Sequence, residues 1–173
     1  LVGACVFSMA ACGSMLLPVL YLMGSEVPKA DVYHAICTGY GGLLACLGGH
    51  VYKKKVLLTE HGIYTREREE EIIRAKWVQP AFKKQWISFF YMLSDIIYTR
   101  AFLVSALFTN AMHAQIQMGC DKEKCRVVEN GINYERLSPI PLKEEDGWGD
   151  IGAIVRLAPI KDIKTMIYAF YEL

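Results

Sequence analysis

The stretch "ADVYHAICTGYGGLLACLGGHVYKKKVLLTEHG" (residues 30–62) decides the fold. Its first six residues, 30–35, read as a short buried strand. Residues 37–42, "CTGYGG", form a glycine-rich turn, and residues 43–52 a short apolar helix. Residues 54–60, "KKVLLTE", read as a second strand. Strand, turn, helix and strand in so short a span make a βαβ unit, which implies a parallel sheet. In open parallel sheets, ligands collect beyond the carboxyl ends of the strands. His34 and His61 fall at those ends. With Thr38, Gly39, Glu60 and Gly62 they are the candidate cleft residues of this segment.

Downstream, the charged run "TREREEE" (65–71) predicts a helix with a solvated face. Thr65 is its expected cap, and Glu67, Glu69, Glu70 and Glu71 place negative charge near its N-terminus, where the macrodipole favours it. Residues 83–101 form a longer helix. Trp86, Phe89, Phe90, Leu93, Ile96 and Ile97 recur at three- and four-residue steps and make a wide apolar stripe for the core. Residues 101–108 predict a third strand and residues 110–119 a short helix with His113 at its surface. Residues 124–132 predict a fourth strand ending in the turn Asn130-Gly131, which adds Asn130 to the candidate cleft residues. Residues 133–149 then concentrate proline, glycine and charge, as linkers do. From residue 150 a strand–loop–helix pattern begins again. The expected organisation is therefore one Rossmann-like α/β domain over 1–132, a linker over 133–149 and the start of a second such domain over 150–173.

The first 24 residues carry no charge. They are long enough to cross a bilayer, but Pro18, the glycines and the serines favour a buried core helix over about 8–23. No basic segment precedes them, so a signal peptide is not indicated. The chain starts without Met and ends inside an uncapped helical pattern, which reads as an internal segment of something longer.

Composition narrows the function. Of the 173 residues, 53% are hydrophobic and 21% charged, which predicts a packed core. A net charge of +1 argues against a nucleic-acid surface. Four of the six cysteines lie in apolar or small-residue runs, where Cys acts as a small hydrophobe. Cys120 and Cys125 flank "DKEK" without a second ligand pair nearby, so reduced thiols fit better than a structural zinc.

The most informative polar groups lie in the restart. Arg156 and Lys161 bracket a short loop before a helix that Asp162 is placed to cap. Two cations at a helix N-terminus suit a diphosphate, although solvated surface residues would show the same spacing. Neither GxGxxG nor GxxxxGK[ST] is present.

"VVENGINYERLSPI" (127–140) followed by "AIVRLAPIKDIKTMIYAF" (153–170) resembles the domain junction of GT-B glycosyltransferases of family 4. "ADVYHAICTGYGGLLACL" (30–47) and "LLTEHGIYTREREEEI" (57–72) narrow the resemblance to the PelF-like branch, over about residues 28–173. The resemblance implies a retaining transferase using a nucleotide sugar, UDP-glucose in that branch, with an unspecified glycan acceptor. It implies exopolysaccharide synthesis at the cytoplasmic face of a membrane complex, with neither metal nor cofactor. His61 matches the histidine that contacts the transferred sugar. Arg156 and Lys161 match the pair that holds the donor diphosphate.

Three departures stand out. Val155 replaces a glycine common before the matching Arg, Glu129 replaces a proline before Asn-Gly, and a Glu-x7-Glu motif would lie past Leu173. The segment alone is therefore expected to be inactive. A non-catalytic binding or assembly subunit on the same fold remains the alternative.

Overall fold

The structure, a computed structural model, describes residues 2–141, 144, 147, 149 and 151–172; for residues 2–12 and 160 it describes the backbone alone. The chain divides into two units, Leu1–Gly131 and Ile132–Leu173.

The first unit is α/β and Rossmann-like. Its strands β1 (Val32–Ala35), β2 (Lys55–Glu60), β3 (Leu103–Ala106) and β4 (Cys125–Val127) lie in that spatial order. Every neighbouring pair is parallel. The helices are α1 (Val2–Met23), α2 (Tyr40–Tyr52), α3 (Tyr64–Arg74), α4 (Pro80–Arg100) and α5 (Thr109–Gln117).

Alternation along the strands explains the layering. Tyr33, Ala35, Val56, Leu58, Val104 and Cys125 are buried in one core cluster with Ile97 and Tyr98 of α4. On the edge strands, side chains of opposite parity such as His34 and Arg126 are exposed, whereas on the central strands Leu57, Thr59 and Leu103 are half-buried and Ser105 is buried. Close helix–sheet approach depends on glycine. A Cβ on Gly48 in α2 would stand 2.4 Å from the Tyr33 ring. The aromatic stripe of α4 is core, as its spacing predicts: Phe89, Phe90 and Leu93 are buried, with Trp86 packed against them.

Several expectations change. The apolar N-terminal helix runs Val2–Met23 but is not a buried core helix in its described part. Met15 is buried, whereas Leu16, Leu17, Leu20, Tyr21 and Met23 are 50–76% exposed. The physical reason is that α2 and α4 pack against only part of its surface. Among the described residues, no helix is long and apolar enough to cross a membrane. Thr65 does not cap α3; Ile63 is the N-cap, and Thr65 is the second helical residue, buried and bonded to Ser94. The fourth strand is shorter than residues 124–132. Its neighbour β3 stops at Ala106, and the last ladder bond is Val128 N–H to Ala106 O at 2.8 Å.

The second unit contains α6 (Tyr134–Leu137) and α7 (Ile163–Tyr171). The expected strand near residues 153–158 is absent: residues 151–158 are irregular. A strand needs a neighbour for its ladder, and no described residue of this unit forms one. Part of the expected linker, residues 142, 143, 145, 146 and 148, and residue 150 at the expected restart lie outside the described residues.

Candidate functional site

The carboxyl edge of the first unit's sheet is organised around Glu60, the last residue of β2. Its side chain is 1% exposed. Tyr98 O–H donates to Oε2 at 2.7 Å and Gln115 Nε2 donates to the same oxygen at 3.0 Å. Thr38 Oγ1 donates to Oε1 at 3.4 Å, and the backbone of Tyr64 adds a further bond. The carboxyl group thus ties together the loop after β1, the start of α3, and helices α4 and α5.

A line of hydroxyls feeds this carboxyl. Ser94 Oγ donates to Thr38 Oγ1 at 2.9 Å, and Thr65 bonds Ser94. Each hydroxyl has one proton, so the direction is fixed: Thr65 donates to Ser94, Ser94 to Thr38, and Thr38 to Glu60. All donors are neutral, and among the described residues no cation pairs with Glu60. Burial pushes its pKa above the ordinary carboxylate range, and the hydrogen bonds oppose that shift. Tyr98 is raised as well, by burial first and by the adjacent Glu60 charge.

His61 follows immediately and is exposed at the strand end. Gly62 is half-buried in the turn that leads into α3. Gly39 is the N-cap of α2 and buried, and a Cβ there would lie 2.8 Å from the Tyr64 ring. Thr38 is fully buried beneath the edge. His34 is exposed on the opposite sheet face, where Nε2 lies 2.9 Å from Thr59 Oγ1, itself 2.7 Å from Ser105 Oγ. Asn130 is exposed beyond β4. The structure therefore brings Thr38 and Glu60 into one network and leaves His34 in another.

Arg156 and Lys161 belong to the second unit, where both are exposed. Lys161 closes a short 3₁₀ turn, and its N–H donates to Ala158 O at 2.9 Å. Asp162 occupies the N-cap of α7, but its side chain makes no capping bond. It holds a left-handed backbone, φ 42° and ψ 51°, whereas a capping side chain works from the extended region.

Cys120 and Cys125 meet in the core, with Sγ atoms 3.4 Å apart as free thiols. Burial, the Cys125 hydrogen bond and its charge push Cys120 up to about 12. No group of three or more His, Cys, Asp or Glu suited to a metal occurs among the described residues.

The family model described as "Domain of unknown function (DUF3492)" matches residues 6–123. The chain belongs to that family. The DUF3492 match spans β1 to β3 and every side chain of the Glu60 network. No curated protein matches the chain.

The partners Ser94, Tyr98 and Gln115 were absent from the sequence-based candidates. One signal was available. Ser94 and Tyr98 are polar residues four apart on a helix whose other inward positions are apolar.

Proposed function

We propose that the chain belongs to a retaining GT-B glycosyltransferase of the PelF-like kind. It transfers a sugar from a nucleotide-sugar donor, UDP-glucose, to a glycan acceptor in Pel-like exopolysaccharide synthesis. The supporting observation is His61, exposed at the carboxyl edge of a parallel sheet directly after the buried, many-bonded Glu60. That edge is where open α/β sheets receive ligands. DUF3492 is associated with family-4-like glycosyltransferases, which supports the same reading.

In this mechanism His61 contacts the transferred sugar and orients it for reaction. Arg156 and Lys161, exposed in the second unit, hold the donor diphosphate. Their positive charge offsets the charge that gathers on the departing nucleoside diphosphate, which is how such transfer proceeds without a metal ion.

The test uses the full-length enzyme. Lys161→Ala weakens UDP-glucose binding by calorimetry about tenfold or more, the loss expected when a charge-assisted contact worth about 1.5–3 kcal/mol disappears. His61→Ala lowers turnover far more than donor affinity. Unchanged donor affinity in the first variant, or wild-type turnover in the second, overturns the corresponding role.

A further inference from the structure

The exposed His61 imidazole makes no hydrogen bond or ion pair among the described residues. His34 differs, because its Nε2 bonds Thr59. No side-chain partner therefore orients His61, and its place is set by the main chain on either side. A group that must meet a reacting sugar has to be held closely, and the support comes from residues behind it.

Glu60 supplies that support. At 1% exposure its carboxyl does not reach a ligand at the sheet edge. Its bonds run inward and forward instead. One goes to the backbone of Tyr64, the first residue of α3, so residues 60–64 close into a ring with His61 in its middle. Another comes from Thr38, in the loop after β1. The Tyr64 ring lies against Gly39, the N-cap of α2, where a Cβ would stand 2.8 Å away. Thr38, Glu60, Tyr64 and Gly39 thus link the loop after β1 to the turn after β2. Tyr98 and Gln115 anchor the carboxyl from behind, through Oε2.

A purely structural role explains this arrangement poorly. Withdrawing a carboxyl from water is costly, and apolar side chains fill a core without that cost. The network is also incomplete: Gln115 is fully buried, yet its Oε1 has no partner. Groups left in this state concentrate where function opposes stability.

We infer that Glu60 is a positioning residue for His61: through Thr38 and the Tyr64 backbone its carboxyl fixes the turn that presents the imidazole to the transferred sugar. What the imidazole does rests on the transferase reading above. What holds it rests on the geometry.

The full-length enzyme tests this. Glu60→Gln lowers kcat by up to about a hundredfold, the effect of roughly an ångström of misplacement, while donor affinity by calorimetry stays within about twofold. Tyr98→Phe keeps both the carboxyl and the packed ring. It lowers kcat about threefold in the same way, and it carries the test where Glu60→Gln does not fold. In a His61→Ala background Glu60→Gln lowers kcat no further, because it acts through the imidazole. The His61 imidazole NMR resonance, assigned by its loss in His61→Ala, shifts or broadens in Glu60→Gln more than any other imidazole resonance. Equal losses of kcat with and without His61, donor affinity falling in step with kcat, or an unmoved His61 resonance would each overturn the inference. A wild-type protein without transfer overturns the transferase reading instead, and the His61 resonance then still decides the positioning.

Discussion

At its carboxyl end β2 carries Glu60, 1% exposed beneath its donors, whereas just before its amino end Lys53 and Lys54 meet solvent beside Arg100. Five strand residues separate Lys54 from Glu60, and with them two opposite solutions to placing charge. A carboxyl group withdrawn from water must have its hydrogen bonds satisfied, so its partners act as one unit. Hydrated cations keep their water and act nearly independently. Substitutions at the two ends should therefore differ greatly in size.

The largest effect belongs to Glu60→Ala. It strands Tyr98 O–H, the Gln115 amide and the Thr38 hydroxyl together. Each buried group left unpaired costs roughly 1–3 kcal/mol, so urea denaturation should show a loss of about 3 kcal/mol or more. A loss below about 1 kcal/mol would mean that the network is not a unit. Glu60→Gln separates shape from charge. The folded-state pKa of Glu60 is raised, so the folded protein holds this proton more tightly than the unfolded chain. Its contribution is fully present below the unfolded carboxyl pKa and is lost as pH rises through the folded value. Stability measured against pH should therefore gain a component on acidification through that window in the native protein, and Glu60→Gln should lack it. Identical profiles for the two proteins would contradict the raised pKa.

The same contrast explains what was legible in the sequence. Local signals gave the βαβ unit: apolar runs ended by Gly39 and Gly62, and a period of three to four through Trp86 and Ile97. They also put His61 and Glu60 at a strand end, because that depends only on where "LLTE" stops. They could not show that Tyr98 and Gln115 converge on Glu60, since those contacts span 38 and 55 residues. Nor could they show which runs would find a ladder. Residues 124–132 and 153–158 have strand-like composition, but the first pairs only as far as β3 extends and the second has no strand beside it among the described residues of its own unit. Pairing is a property of the neighbour as much as of the run.

At the amino end the expected changes are smaller, and one is favourable. Lys53→Gly removes the steric cost of a left-handed Cβ, so urea denaturation should show a gain of about 1 kcal/mol. A loss instead would mean that the lysine side chain makes a stabilising interaction in the folded state.

The smallest effect sharpens the comparison most. Asp31 reaches Lys54 at 2.9 Å, yet its side chain is 97% exposed. Water screens such a pair, and ordering two mobile side chains offsets most of the attraction. Asp31→Asn should leave the urea midpoint unchanged, in contrast to the loss at Glu60. A stability loss comparable to that of Glu60→Ala would place this pair in the buried, coupled regime and erase the distinction between the two ends of β2.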